Sequence, residues 1–260
     1  KKTMKTKGLI QFAAVALLSV GLAACNNKNK QNGEQDVVPT DYLCLFQGTL
    51  PCGDCPGIET KVTFMPDSTA AITRLYLDSD GTSETEYGTW SYQDSTFVVK
   101  TSSNDSVPVQ ETLSFKVLPD EQIALIGEDN IVKSENVLLK KQPLTIKNFE
   151  GSYTQGGEEK DAYAQTLTIA AGENNEVLVT IAQTGGKGKG CEFTGKGRII
   201  NNQIEVDLQQ VNPEMSSTMV IRPTNEGNGL NVFTSKFDER YDLMYFCGGG
   251  GSLAGDYIKK

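Results

Sequence analysis

Histidine is absent from the 260 residues. Without an imidazole the chain can build neither a Ser-His-Asp nor a Cys-His arrangement, and no histidine can ligate a metal. Carboxylate pairs, lysine bases and tyrosine remain as catalytic groups, but no motif arranges them, so the chain reads as a non-enzyme. Basic charge is scarce. Lys and Arg number 24 against 33 Asp and Glu, a net charge of −9. A surface of that sign repels nucleic acid and anionic head groups and favours cationic partners. Long apolar runs are also scarce: the run from Leu9 to Leu22 is too short for a comfortable transmembrane helix. No amphipathic helical periodicity is legible. The Gly185–Gly190 stretch lacks the Gly-Lys-Ser/Thr ending of a phosphate-binding loop and reads as a flexible hairpin.

What is present begins with an address. Lys1, Lys2, Lys5 and Lys7 precede the apolar run, which closes in Leu22-Ala23-Ala24-Cys25. Residues 1–24 therefore read as a signal peptide with a small-residue cleavage site. A cysteine directly after Leu-Ala-Ala resembles the bacterial lipobox. That resemblance implies cleavage ahead of Cys25, acylation of Cys25, and anchoring in membrane lipid by several chains together, where one alone is marginal. Residues 25–40 read as a tether, since Asn26 to Gln35 holds no apolar residue and cannot fold on its own. Asn26 to Thr40 spans about 20 Å as a coil and at most about 50 Å extended. By resemblance to lipoprotein sorting, Asn26 in place of Asp implies the outer membrane, with the domains facing the periplasm.

The remainder alternates between short apolar–polar strands and turn residues. In residues 41–142, Ile58-Thr60-Val62-Phe64 alternates with Glu59-Lys61-Thr63, and six further strands follow, among them Ala71–Leu77, Tyr87–Tyr92 and Leu113–Val117. Residues 143–148, with Pro143, read as a linker. A second module, 149–260, has strands at Leu167–Ile169, Val177–Ile181, Cys191–Phe193, Arg198–Ile200, Ile204–Leu208, Met219–Ile221, Leu230–Phe233 and Tyr241–Cys247. Asn201-Asn202 suits a two-residue hairpin turn because Asn tolerates positive φ. Gly255-Asp256-Tyr257 echoes Gly151-Ser152-Tyr153, as though the last strand returned beside the first to close a barrel. The expected fold is all-β: two small antiparallel β-barrels, lipocalin-like or OB-like, behind a signal peptide and tether.

With Cys25 assigned to lipid, five cysteines remain, in a compartment that permits disulfides. Cys191 and Cys247 lie 56 positions apart, and closing that loop would stabilise by about 4 kcal/mol on the chain-entropy estimate. They read as a structural staple. Cys52 and Cys55 close so short a loop that the same estimate gives about 2 kcal/mol. They read as a redox-responsive pair, a local structural disulfide, or a Cu(I) site with Met65 as a third ligand. Pro56-Gly57 feeding a strand argues against a thioredoxin-like role, which needs the motif to open a helix. Cys44 stands near enough in sequence to compete for either partner, or is a small buried hydrophobe.

The stretch Gly48-x-Leu50-Pro51-Cys52-x-Asp54-Cys55-x-Gly57-Ile58-Glu59-Thr60, followed by Tyr76-Leu77 and Gly88-Thr89-Trp90, resembles the N-terminal domain of the NlpE lipoproteins over roughly residues 42–142. The resemblance implies a small lipocalin-like barrel on an outer-membrane lipoprotein that acts in copper homeostasis and envelope-stress or surface-contact signalling. It implies no obligatory cofactor and an envelope-stress sensor protein as partner, while copper(I) at Cys52 and Cys55 rests on the thiolate chemistry above. Cys44 departs from it, since family members need not carry that residue. Two other readings stand beside it. The second module shares Cys191-x-Phe193, a paired Cys247 and a Gly-rich loop with small periplasmic β proteins that inhibit lysozyme. Either barrel is also a candidate carrier of a small apolar ligand.

Overall fold

A computed structural model describes residues 38–77, 81–102, 110–157, 159, 161–224 and 226–259. The expected signal peptide, Cys25 and nearly all of the tether lie outside the described residues. Eight strands form the first closed barrel: β1 (Leu45–Leu50), β2 (Ile58–Phe64), β3 (Thr69–Tyr76), β4 (Glu84–Gln93), β5 (Thr96–Ser102), β6 (Gln110–Leu118), β7 (Gln122–Ile126) and β8 (Val137–Lys141). Each pairs antiparallel with the next, and β8 returns to β1 with Phe46 opposite Lys140. The segment between the barrels carries one helical turn, α1 (Ile146–Phe149). The second barrel follows the same scheme through β9 (Gly151–Gly156), β10 (Ala164–Ala171), β11 (Val177–Gly185), β12 (Glu192–Ile200), β13 (Gln203–Asp207), β14 (Thr218–Pro223), β15 (Gly229–Thr234) and β16 (Gly255–Lys259), closed by β16 on β9. Closure leaves no sheet edge exposed to foreign strands.

Each interior is filled from one side of every strand, because alternate side chains face the same way. Phe46, Val62, Phe64, Ile72, Phe97, Val99, Phe115, Ile123 and Leu138 fill the first barrel. Phe64 stacks on Phe97 at 4.2 Å between centroids, and Trp90 meets Phe97 edge-on at 5.3 Å. In the second barrel the two ends of the fold repeat one device. Tyr153 Oη donates to the Phe149 carbonyl at 2.8 Å and Tyr257 Oη to the Leu253 carbonyl at 2.8 Å, each reaching back four residues across a glycine.

Two expectations for this barrel are corrected. Cys191–Phe193 and Arg198–Ile200 are not separate strands, because β12 runs unbroken from Glu192 to Ile200. Gly195 and Gly197 fall in the gap between those expected strands but face inward: a Cβ on Gly195 would stand 2.7 Å from Phe193 Cζ, and one on Gly197 2.7 Å from Ile204 Cγ2. Their missing side chains make room for the core. Tyr241–Cys247 is not a strand either. Phe237–Met244 forms a 3-10 helix, with Asp238 and Glu239 in its first turn and Leu243 as its buried residue. Arg240 lies against the Phe237 and Tyr241 rings, 3.9 and 4.2 Å from their centroids, an arrangement that an extended chain, with side chains alternating across its two faces, would break.

The barrels meet through polar side chains. The β12–β13 turn places Asn201 and Asn202 at φ 47° and 63°, as a two-residue hairpin requires. Asn201 enters the outer face of the first barrel. Its Nδ2 donates to Thr73 Oγ1 at 2.9 Å and to the Ala71 carbonyl at 3.1 Å, and its Oδ1 accepts from Thr63 Oγ1 at 2.6 Å. Asn202 Oδ1 accepts from the Leu144 amide at 2.7 Å, which ties the connecting segment to the same turn. Further along β13, Ser83 Oγ donates to Gln203 Oε1 at 2.7 Å and Tyr87 Oη to Glu205 Oε2 at 2.6 Å, while Thr85 Oγ1 donates to Glu205 Oε1. Gln203 and Glu205, alternate residues on β13, thus meet Ser83, Thr85 and Tyr87 of the first barrel, while Asn201 meets β2 and β3.

Asn201→Ala leaves the Thr73 hydroxyl and the Ala71 carbonyl short of a donor in a buried site, so a loss of about 2–3 kcal/mol is expected in urea unfolding. Tyr87→Phe removes one hydrogen bond at a partly exposed position and should cost less than about 1 kcal/mol. Equal, small losses in both would remove Asn201 from its central place.

Candidate functional site

The seven residues from Pro51 to Gly57 join β1 to β2 at one end of the first barrel. Two prolines fix φ on either side of the cysteines, and the turn folds back tightly. Gly57 permits that approach, since a Cβ there would stand 2.5 Å from Thr49 Cγ2, and its carbonyl accepts from the Leu77 amide at 3.0 Å. Cys52 and Cys55 are joined as a disulfide with Cα atoms 5.3 Å apart. Asp54 lies between them, and its carboxylate and the two sulfurs sit within 4.8 Å of one another. Among the described residues no other group of cysteine and acidic side chains comes together in this way. Both cysteines are half-exposed, and Pro51, Asp54 and Pro56 are exposed.

The other thioether and thiol considered from sequence are elsewhere. Met65 follows β2, whereas the cysteine turn precedes it, so a strand of about 20 Å separates them. Met65 Sδ accepts from Thr69 Oγ1 at 3.5 Å, and its carbonyl accepts from Trp90 Nε1 at 2.9 Å. It is not a third ligand. Cys44 precedes β1, also at the opposite end, where it is buried and its Sγ donates to the Asp41 carbonyl at 3.4 Å. The competing pairings drawn from its nearness in sequence are ruled out by the length of β1.

Below the cysteine turn the barrel is not filled with hydrocarbon. A cavity of ≈ 550 Å³ opens there, lined by Leu50, Pro51, Ile58, Tyr76 and Leu113 but also by Arg74, Glu111, Lys133 and Glu135. Arg74 Nη1 meets Glu86 Oε1 and Nη2 meets Glu111 Oε2, each at 2.7 Å, and Thr101 Oγ1 donates to Glu86 Oε2 at 2.8 Å. Burial pulls the Arg74 pKa down, but the two carboxylates outweigh it and hold the guanidinium charged above its ordinary value. This network went unread in the sequence because its members are 12 to 37 positions apart. The one legible signal was a charged residue at an inward position on each of three strands.

In the second barrel Cys191 and Cys247 are joined across an isolated antiparallel bridge, with Cα atoms 3.9 Å apart. The Gly248 amide donates to the Gly190 carbonyl at 3.0 Å and the Glu192 amide to the Phe246 carbonyl at 2.9 Å. The bond thus pins the segment after the 3-10 helix to the start of β12. Phe237, Tyr241 and Met244 of the helix and Tyr245 just after it remain exposed.

With this geometry in place, comparison with known proteins is informative. The family described as NlpE N-terminal domain matches residues 46–135. An NlpE-type domain therefore forms the first barrel. A 17 kDa lipoprotein of Treponema pallidum is 33% identical over 87 residues, which are 32% of this chain and 56% of the relative. Lipoprotein NlpE of Escherichia coli is 32% identical over 96 residues, 34% of this chain and 39% of the relative. The chain thus spans about half of one of these relatives and less of the other. The crystal structure of the Cpx pathway activator NlpE from Escherichia coli is 18% identical, covering 54% of this chain and 84% of that one, with a TM-score of 0.29. The NlpE-type motif stretch coincides with the exposed turn that carries Cys52 and Cys55.

Exposure separates the cysteines chemically. In mild reductant, without denaturant, iodoacetamide is expected to label Cys52 and Cys55 while Cys44 and Cys191 stay unmodified, as read by peptide mass spectrometry. Labelling of Cys44 at the same rate would contradict its burial.

Proposed function

We propose that the protein is a lipid-anchored, non-enzymatic NlpE-like lipoprotein of the outer membrane, acting in copper homeostasis and envelope-stress or surface-contact signalling through the Cys52–Cys55 turn. The observation that carries this reading is the position of that turn, exposed at the end of an NlpE-type barrel and flanked by Asp54. The described chain enters the barrel at the opposite end, near Cys44.

Closed, the disulfide offers no thiolate. An external dithiol reductant, itself oxidised to a disulfide, supplies the two electrons and two protons that open it to two thiols, and Cu(I) then displaces both protons to bind two thiolates. The soft sulfurs suit Cu(I), whereas the Asp54 carboxylate is a hard donor that adds negative charge and no strong bond. Neither histidine nor Met65 is at hand to complete a higher-coordinate site. Reduction would open the short loop, Cu(I) would then hold it open, and the change would be read by a sensor protein.

Titration of the reduced chain with Cu(I) against a competing chelator tests this. One Cu(I) per chain is expected, none for the oxidised chain, and at least a hundredfold loss in Cys52→Ser/Cys55→Ser. No binding by the reduced chain would leave copper as a stress the protein reports, not a ligand it holds.

A second reading, an inhibitor of a cationic enzyme such as lysozyme, is favoured by the exposed Phe237, Tyr241 and Tyr245 beside Asp238 and Asp242 on a segment pinned by the Cys191–Cys247 bond. Stoichiometric loss of lysozyme activity, abolished by Tyr241→Ala/Tyr245→Ala, is its expected signature. Full activity at excess protein would end it.

A further inference from the structure

Beside the Asn201-Asn202 turn the two barrels leave a groove of ≈ 540 Å³ whose walls are mostly polar. One wall is a cross-strand row on the second barrel. Arg222 on β14 stands opposite Asn231 on β15, which stands opposite Asp256 on β16. The other wall comes from the first barrel and includes Lys61 and Glu59 of β2. Most of these groups are paired. Lys61 Nζ meets Glu59 Oε1 at 2.8 Å, and Asp256 Oδ1 accepts from Asn231 Nδ2 at 2.7 Å.

Arg222 is the exception. Its Nη1 is buried and, among the described residues, meets no hydrogen-bond acceptor. Burial pulls the guanidinium pKa down, and the charges of Glu59 and Asp256 act against that without bonding to it. A buried donor without an acceptor is costly, and a guanidinium fork is the side chain best matched to a carboxylate.

The groove therefore holds an unsatisfied cation at one end of a row and a carboxylate, Asp256, at the other. A simple anion would meet Glu59, Glu226 and Asp256, and a simple cation would meet Arg222 and Lys61. A ligand with both signs, separated, meets neither penalty. Arg222 and Asp256 are two strands apart, about 10 Å between backbones. At roughly 3.5 Å per residue, a tripeptide spans that distance between its charged ends and a single amino acid does not.

We propose that the inter-barrel groove is a binding site for short zwitterionic peptides, with the ligand carboxylate on Arg222 and its ammonium on Asp256. The site lies apart from the cysteine turn and does not depend on copper binding there.

Calorimetric titration of the intact chain with tri-alanine, N-acetyl-tri-alanine, tri-alanine amide and inorganic phosphate tests it. Tri-alanine is expected to bind saturably, and each cap to weaken binding at least tenfold. Arg222→Gln should weaken tri-alanine at least tenfold. Asp256→Asn should weaken tri-alanine and leave the acetylated peptide unchanged. If Arg222→Gln fails to fold, Asp256→Asn and the capped peptides, which leave Arg222 in place, decide the matter. No saturable binding of tri-alanine, equal binding of the capped forms, or preference for phosphate would each overturn the assignment.

Discussion

A set of polar side chains, with Asn201 at its centre, joins the two barrels of this molecule. Asn201 leaves the second barrel at a tight hairpin and satisfies groups on two strands of the first. A closed barrel has no edge to offer, so two barrels can dock only through side chains on their outer faces. Here those faces are polar, and the docking is a set of hydrogen bonds in which Asn201 meets Thr63 and Thr73 while Gln203 and Glu205 meet Ser83, Thr85 and Tyr87. Polar contacts of this kind contribute little net energy when made and cost more when broken. They therefore fix the relative position of the barrels more than they add to stability. The groove that holds Arg222 exists because of that fixed position.

Within the first barrel the interior is divided along its axis. Near Cys44 and Met65 it is packed with aromatic rings, and near the cysteine turn it is open and carries the Arg74–Glu86–Glu111 network. A wholly apolar ligand would have to lie against a half-buried ion network, so the mouth does not favour the simple carrier reading. The division also keeps the sulfur chemistry at one end. Cys44 is as close in sequence to Cys52 as many disulfide partners are, but an extended strand is the least compact way to cover that distance. The two thiol environments are separated by the strand that joins them.

The two disulfides do different work because they close different loops. The bond between Cys191 and Cys247 spans 56 positions and holds an aromatic segment against a strand. The bond between Cys52 and Cys55 spans 3 positions and restrains a turn that two prolines already restrain. Chain entropy makes the first a strong constraint on the unfolded chain and the second a weak one. Opening the second would leave the barrel's hydrogen-bond ladder intact.

The sequence by itself determined that the chain is all-β, that its strands alternate, and that Asn201-Asn202 is a hairpin turn, because period-two patterning and positive-φ residues are local properties. It also carried the NlpE-type motif around Cys52 and Cys55. Local signals misled where one residue type serves two purposes. Gly195 and Gly197 fall in the gap between two expected strands but clear space in the core of one, and the run around Tyr241 read as a strand but stacks on Arg240 in a 3-10 helix. Tertiary structure alone decided that Met65 and Cys44 lie a strand's length from the cysteine turn, that Arg74 meets Glu111, and that Arg222 faces the first barrel with its Nη1 meeting no acceptor among the described residues. The physical reason is closure: bending eight strands into a barrel sets which residues share a wall and which share an end, and neither relation follows from separation along the chain.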